Sequence, residues 1–186
     1  CESAVEDAIT RAAGDGPFER VVDLGTGSGR MLTLLGKKAK VSLGIDLSQN
    51  MLNIARANVS KAGLSKVELR HGDIFATRLP AASADLVIVH QVLHYLADPA
   101  AAVAEASRLV SPGGRLVIVD ESHPRCSMAS DVSGFIAQEA FGALKAPIQM
   151  VTAPHVPVPF AASLEDLYIP SPARIEEAVM RVKEYR

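Results

Sequence analysis

From Val21 to Leu24 the chain has the pattern of a buried strand, and it runs directly into Gly25-Thr26-Gly27-Ser28-Gly29, three glycines alternating with small hydroxylated residues. Before it, Val5, Ala8, Ile9 and Ala12 share one helical face, and Gly14-Asp15-Gly16-Pro17 closes that helix. After it, Met31, Leu32, Leu34 and Leu35 predict a short buried helix stopped by Gly36, and Val41 to Ile45 a second strand ending at Asp46. Ser48 is placed to cap the next helix, where Met51, Leu52, Ala55, Val59 and Ala62 recur at helical spacing up to Gly63. A third strand is expected over Val67 to Arg70, leading to Gly72-Asp73-Ile74, and a fourth over Asp85 to Val89. Asp98-Pro99 then supplies a cap and a first position for an alanine-rich helix through Val110, and a fifth strand follows from Arg115 to Asp120.

Strands that are apolar almost throughout and separated by helices predict an α/β fold, a doubly wound, mainly parallel sheet covered on both faces. Ligands of such sheets sit beyond the carboxyl ends of the strands, which here carry Gly25 to Gly29, Asp46, Asp73 and His90. The tail has a different texture. Val132, Phe135, Ile136, Ala140, Phe141 and Leu144 mark a helical face, and Ile148 to Val151 a strand. Pro154, Pro157, Pro159 and Pro170 punctuate an extended segment, and Ser171-Pro172 opens a last helix through Ile175, Ala178, Val179 and Val182. The expected division is a core over residues 1–120 and an atypical C-terminal α/β segment over 121–186, packed on the same sheet.

Composition narrows the partners. With 186 residues, of which 48% are hydrophobic, the chain can fill one good core, and a net charge of -2 gives no basic face for nucleic acid. Apolar runs such as Leu86 to Val89 and Leu116 to Val119 fall far short of the ~20 residues of a membrane span, and neither a span nor a secretory leader is expected. A cytoplasmic protein acting on a small-molecule substrate is expected. Cys1 and Cys126 form no spaced cluster, so neither a disulfide framework nor a metal site is expected.

The glycine turn suits a nucleoside ligand, because glycine permits positive φ and a close approach to the backbone. A dinucleotide fingerprint would need a third glycine at position 30, which is Arg30. What stands instead is Asp-x-Gly-x-Gly-x-Gly from Asp23 to Gly29, with Asp46 placed 21 residues after Gly25. A carboxylate there can accept both hydroxyls of a ribose. Taken singly, Asp46 and Asp73 can also be read as helix caps or solvated turn residues, the less favoured reading, and His90 equally as the partner of a buried backbone group. His94, four residues later on a short helical turn, either faces the same cleft as a general base or packs.

The stretches VVDLGTGSGRML, GIDLSQNML, RHGDIF, ADLVIVHQVLHYLADP and LVSPGGRLVIVD occur in that order, and over about residues 5–120 the chain resembles the class I S-adenosylmethionine-dependent methyltransferases. The nearest likeness is to bacterial methyltransferase domains often found behind an arsenical-repressor-type winged helix, a segment these 186 residues do not contain. The resemblance implies a Rossmann-like fold with S-adenosyl-L-methionine as cofactor. It implies that Asp23, Gly25, Thr26, Gly27 and Gly29 line the methionine end, Asp46 takes the ribose, and Leu47 and Met51 flank the adenine. Asp73 and Ile74 would contact the adenine edge, and His90 and Gln91 would form the floor near the sulfonium. His94 is the candidate catalytic base. Arsenite-methylating relatives hold the metalloid with several cysteine thiolates, which Cys1 and Cys126 do not supply.

From Arg115 onward, RLVIVDESHPRCSMASDVSGFIAQEAFGALKAPIQMVTAPHVPVPFAASLEDLYIPSPARIEEAV resembles the carboxyl end of the pyruvate dehydrogenase beta subunit. The two resemblances overlap in Arg115 to Asp120, a strand that satisfies either family. A natural fusion, an artificial join and a sequence error would each produce such a chain. This resemblance implies a transketolase-type C-terminal domain with a possible protein partner, and carries no thiamine chemistry. The competing reading of the whole chain is therefore a non-catalytic interaction module, or a fragment related to that subunit.

Overall fold

The structure, a computed structural model, describes residues 17–112, 117–120, 123–139, 141–143 and 146–184. The helix expected over Val5 to Ala12 lies outside the described residues. The chain divides into two compact units, one of residues 15–114 and one to which residues 115–186 belong. The division falls at 114/115 rather than at 120/121, so the strand shared by both resemblances goes with the second unit.

The first unit is a four-stranded parallel sheet in the order β3-β2-β1-β4, built from β1 (Phe18–Leu24), β2 (Ala39–Asp46), β3 (Val67–His71) and β4 (Leu86–Ile88). Its centre is β1, where Val21, Val22 and Leu24 have no solvent exposure and Asp23 is the one polar residue among them. Three helices cover the sheet: α1 (Arg30–Leu35), α2 (Gln49–Lys61) and α3 (Pro99–Leu109). The Ser48 hydroxyl accepts the Met51 amide at 3.3 Å to start α2, and Asp98 accepts the Ala101 amide at 2.9 Å to start α3. Leu52, Ala55 and Val59 form the buried stripe of α2, and Gly63 at φ +69° turns the chain out of it. The fourth strand is shorter than expected. The carboxylate of Asp85 accepts the backbone amides of Glu19 at 2.6 Å and Arg20 at 2.9 Å, so this residue anchors the strand's entry.

In the second unit β5 (Val117–Asp120) pairs in parallel with β6 (Gln149–Thr152), and these two strands form a sheet of their own. Among the described residues the hydrogen-bonding partner of β5 is β6. Helices α4 (Met128–Glu139), α5 (Ala162–Tyr168) and α6 (Pro172–Glu184) complete the unit, and Val151, Ile175 and Ala178 form a core cluster of it. The predicted helical face ran on to Leu144. The helix instead ends at Glu139, and Phe141 sits in a short 3-10 turn with its ring exposed. Two-turn α5 interrupts the segment read as extended, and Tyr168 anchors it.

Candidate functional site

The turn between β1 and α1 has the backbone that its glycines predict. Gly25, Gly27 and Gly29 take φ values of +72°, +51° and +75°. At Gly25 the requirement is also steric: a Cβ there would collide with Val92 Cγ2 and lie 3.0 Å from Val92 Cβ. The amides of Gly25 and Thr26 donate to the carbonyl of Ile45 at 2.9 and 3.0 Å, tying the turn to the end of β2. From α2, Asn58 Nδ2 donates to the Ser28 carbonyl at 2.9 Å. The turn is thus fixed from the next strand and from the next helix.

Asp46 closes β2 beside it. Its Oδ2 accepts the Gly27 amide at 2.8 Å and its Oδ1 accepts the Ser48 amide at 2.7 Å, so the carboxylate is held in place by backbone on both sides. Each oxygen keeps acceptor capacity for a ligand hydroxyl. Asp23 is the opposite case: it is 2% exposed, and its Oδ2 accepts the Thr26 hydroxyl at 2.6 Å. Burial pushes its carboxyl up from 3.8 to about 7, against the Thr26 hydrogen bond and with the charge of Asp46 adding to the rise. Thr26 therefore turns its side chain inward, to Asp23, and is itself 6% exposed.

The remaining expected residues fall at the neighbouring strand ends. Leu47 and Met51 are 61% and 44% exposed, which leaves apolar surface beside Asp46. His71 Nε2 donates to the Leu47 carbonyl at 2.9 Å and so holds the loop behind β2 against the end of β3. Asp73 is exposed, and its Oδ1 accepts the Phe75 amide at 2.9 Å in a tight local turn. Ile74, at 4% exposure, belongs to the hydrophobic core, so the side chain offered to solvent after Asp73 is that of Phe75. Behind β4, Gln91 takes a left-handed φ of +52°, next to the Val92 that rests on Gly25. That is a backbone outlier beside the glycine turn. His90 is half-buried and His94 exposed, on the 3-10 turn Leu93–Tyr95 with its ring 4.0 Å from that of Tyr95. Sequence reasoning missed Phe75, Asn58, His71 and Val92. Phe75 lies two residues after Asp73 and was the one with a signal; the other three act through folded geometry.

Among the described residues no group of three or more His, Cys, Asp or Glu side chains is placed to hold a metal ion, and no helix is long and apolar enough to cross a membrane. A shallow groove of about 320 Å³ lies between α2 and β3, lined by Arg56, Val59 and Leu69 among others, and shares no residue with the glycine turn.

Comparison with known families matches residues 22–118, more than half of the chain, to a methyltransferase domain, and residues 101–175 to a transketolase C-terminal domain. Over 107 residues, 58% of this chain and 44% of the other, the sequence is 32% identical to a demethylmenaquinone methyltransferase of Tropheryma whipplei. Over 68 residues it is 62% identical to the beta subunit of an acetoin:2,6-dichlorophenolindophenol oxidoreductase of Cupriavidus necator, which is 37% of this chain and 20% of that protein. A SAM-dependent methyltransferase from Thiobacillus denitrificans, solved in complex with S-adenosyl-L-homocysteine, superposes with a TM-score of 0.51 at 27% identity, over 59% of this chain and 45% of the other. The chain thus spans less than half the length of each of these relatives.

Proposed function

We propose, for a chain that belongs to the methyltransferase-domain family, that its first unit binds S-adenosyl-L-methionine and that the protein transfers the methyl group to a small-molecule acceptor. The observation that carries this reading is the carboxylate of Asp46, held by the amides of Gly27 and Ser48 at the end of β2 with acceptor capacity left over. The residues present suit the cofactor. The glycine turn offers a cradle without side chains, Asp46 suits two ribose hydroxyls, and the exposed surfaces of Leu47, Met51 and Phe75 suit an adenine face. When bound, the cofactor supplies an electrophilic methyl group on a sulfonium. The protein's part is to orient the acceptor in line with that methyl and to exclude water. Asp23, Gly25, Thr26, Gly27 and Gly29 would hold the methionine end, His90 and Gln91 would form the floor of the site, and His94 would take the proton from the acceptor. Thermal shift tests the cofactor: S-adenosylhomocysteine is expected to raise the melting temperature and NAD to leave it unchanged. A shift with NAD alone would overturn the reading.

The tail favours a second reading, because its 62% identity to an oxidoreductase beta subunit exceeds the 32% identity to the demethylmenaquinone methyltransferase. In that reading the chain is an interaction module that binds a dehydrogenase subunit through its C-terminal segment. Co-purification with such subunits together with no response to S-adenosylhomocysteine would favour it.

A further inference from the structure

The β1 end of the site holds a three-residue arrangement that none of the site roles above explains. Gly44 is buried in β2, directly opposite Asp23 in the strand register. A Cβ on Gly44 would lie 2.7 Å from Leu32 Cδ1, 2.8 Å from Thr26 Oγ1 and 2.9 Å from Thr26 Cγ2. The absent side chain is what lets Thr26 fold inward and place its hydroxyl 2.6 Å from Asp23 Oδ2. A carboxyl group so thoroughly removed from water is a poor home for a bare negative charge, and it lies beside a second carboxylate, that of Asp46, which already takes two amides.

Resting on the proposed cofactor, we infer that Asp23, set by Thr26 and the gap at Gly44, is a proton-linked positioning residue: the empty site keeps a proton on the carboxyl, and binding the cationic methionine end expels it to solvent. The balance is simple. Asp23-COOH gives up H⁺ to the buffer as the ligand's ammonium group arrives, and no bond other than O–H breaks. The titratable groups that the surrounding elements bring to this end are Asp46 behind β2, Arg30 at the start of α1, and His90 and His94 behind β4. The charge of Asp46 acts on Asp23 and helps to keep the proton on. Midway titration near neutral pH makes the linkage measurable where the protein would work.

The test is calorimetric titration of the full chain with S-adenosylhomocysteine, which retains the ammonium group, in phosphate and in Tris at matched pH. The two buffers differ in ionisation enthalpy, so the difference in heat counts protons. At pH 7 release of roughly half a proton per site is expected, falling towards zero by pH 9, and the affinity should rise about tenfold between pH 6 and pH 8. Asp23→Asn should abolish both effects. Should that variant fail to fold or bind, Thr26→Val serves: without the hydroxyl that favours the ionised form, proton release should persist to higher pH than in the parent. Buffer-independent heats with undiminished affinity at pH 6 would overturn the inference, as would proton release that survives in Asp23→Asn. Absence of S-adenosylhomocysteine binding at every pH would instead refute the cofactor itself.

Discussion

Replacing Asp46 by Ala removes one carboxylate and leaves the glycine turn its other ties. Gly25 and Thr26 still donate to the Ile45 carbonyl and Asn58 still holds Ser28, so the fold of the first unit should survive. The ligand loses more. A hydrogen bond to a charged group is worth about 1.5–3 kcal/mol, and in the proposed role Asp46 accepts two from a ribose, which sets the gross loss at about 3–6 kcal/mol. Water entering the vacated space returns part of that, while the Gly27 and Ser48 amides lose their acceptor. A tenfold weakening, about 1.4 kcal/mol, is therefore the floor, and a hundredfold loss is the central expectation. Calorimetry with S-adenosylhomocysteine measures it directly, with circular dichroism to verify the fold. A folded Asp46→Ala protein whose affinity matches the parent would remove Asp46 from the site.

Gly25→Ala meets both a left-handed φ and the methyl groups of Val92, so denaturant melts should show a loss of about 2–5 kcal/mol, and adding Val92→Ala should return the steric part of it. Glu105 accepts the Thr77 amide at 3.1 Å and Arg108 Nε at 2.7 Å, clasping the segment between β3 and β4 onto α3. Glu105→Ala should cost about 1–3 kcal/mol by thermal or denaturant unfolding. The Arg108 hydrogen bond, helped by Thr77, lowers the Glu105 carboxyl from 4.5 to about 2. A folded pKa below the unfolded one stabilises fully above pH 4.5 and is lost as pH falls towards 2, so the parent should lose more stability across that window than Glu105→Ala does. In a methyl-transfer assay with any acceptor that turns over, His94→Ala should lower the turnover and leave S-adenosylhomocysteine affinity unchanged; equal turnover would exclude it as the base.

The order of elements in the first unit was legible because its signals are local. The buried stretch Val21 to Leu24 of β1 is apolar but for Asp23; Ser48 and Asp98 stand where caps belong, and Gly63 ends a helix. The places of the glycine turn and of Asp46 were legible for the same reason, since each stands where an apolar run stops and so marks the carboxyl end of a strand. The inward turn of Thr26 was not, because it depends on Gly44, 18 residues away in sequence and opposite only once β1 and β2 pair. Ile74 illustrates a further limit: next to Asp73 it reads as a site residue, yet the short turn at Asp73 sends its side chain into the core and presents Phe75 instead. In the tail, pairing of β5 with β6 was hidden because Val117 to Val119 is equally apolar in either sheet, and α5 because seven residues between prolines show too little periodicity.

The most direct measurement is a crystal structure of the chain grown with S-adenosylhomocysteine. Density over Gly25 to Gly29, with both ribose hydroxyls within hydrogen-bonding distance of the Asp46 carboxylate and the adenine against Leu47, Met51 or Phe75, is the expected result. Crystals grown at saturating ligand in which the glycine turn is empty, or in which the ligand sits elsewhere, would contradict cofactor binding by this unit.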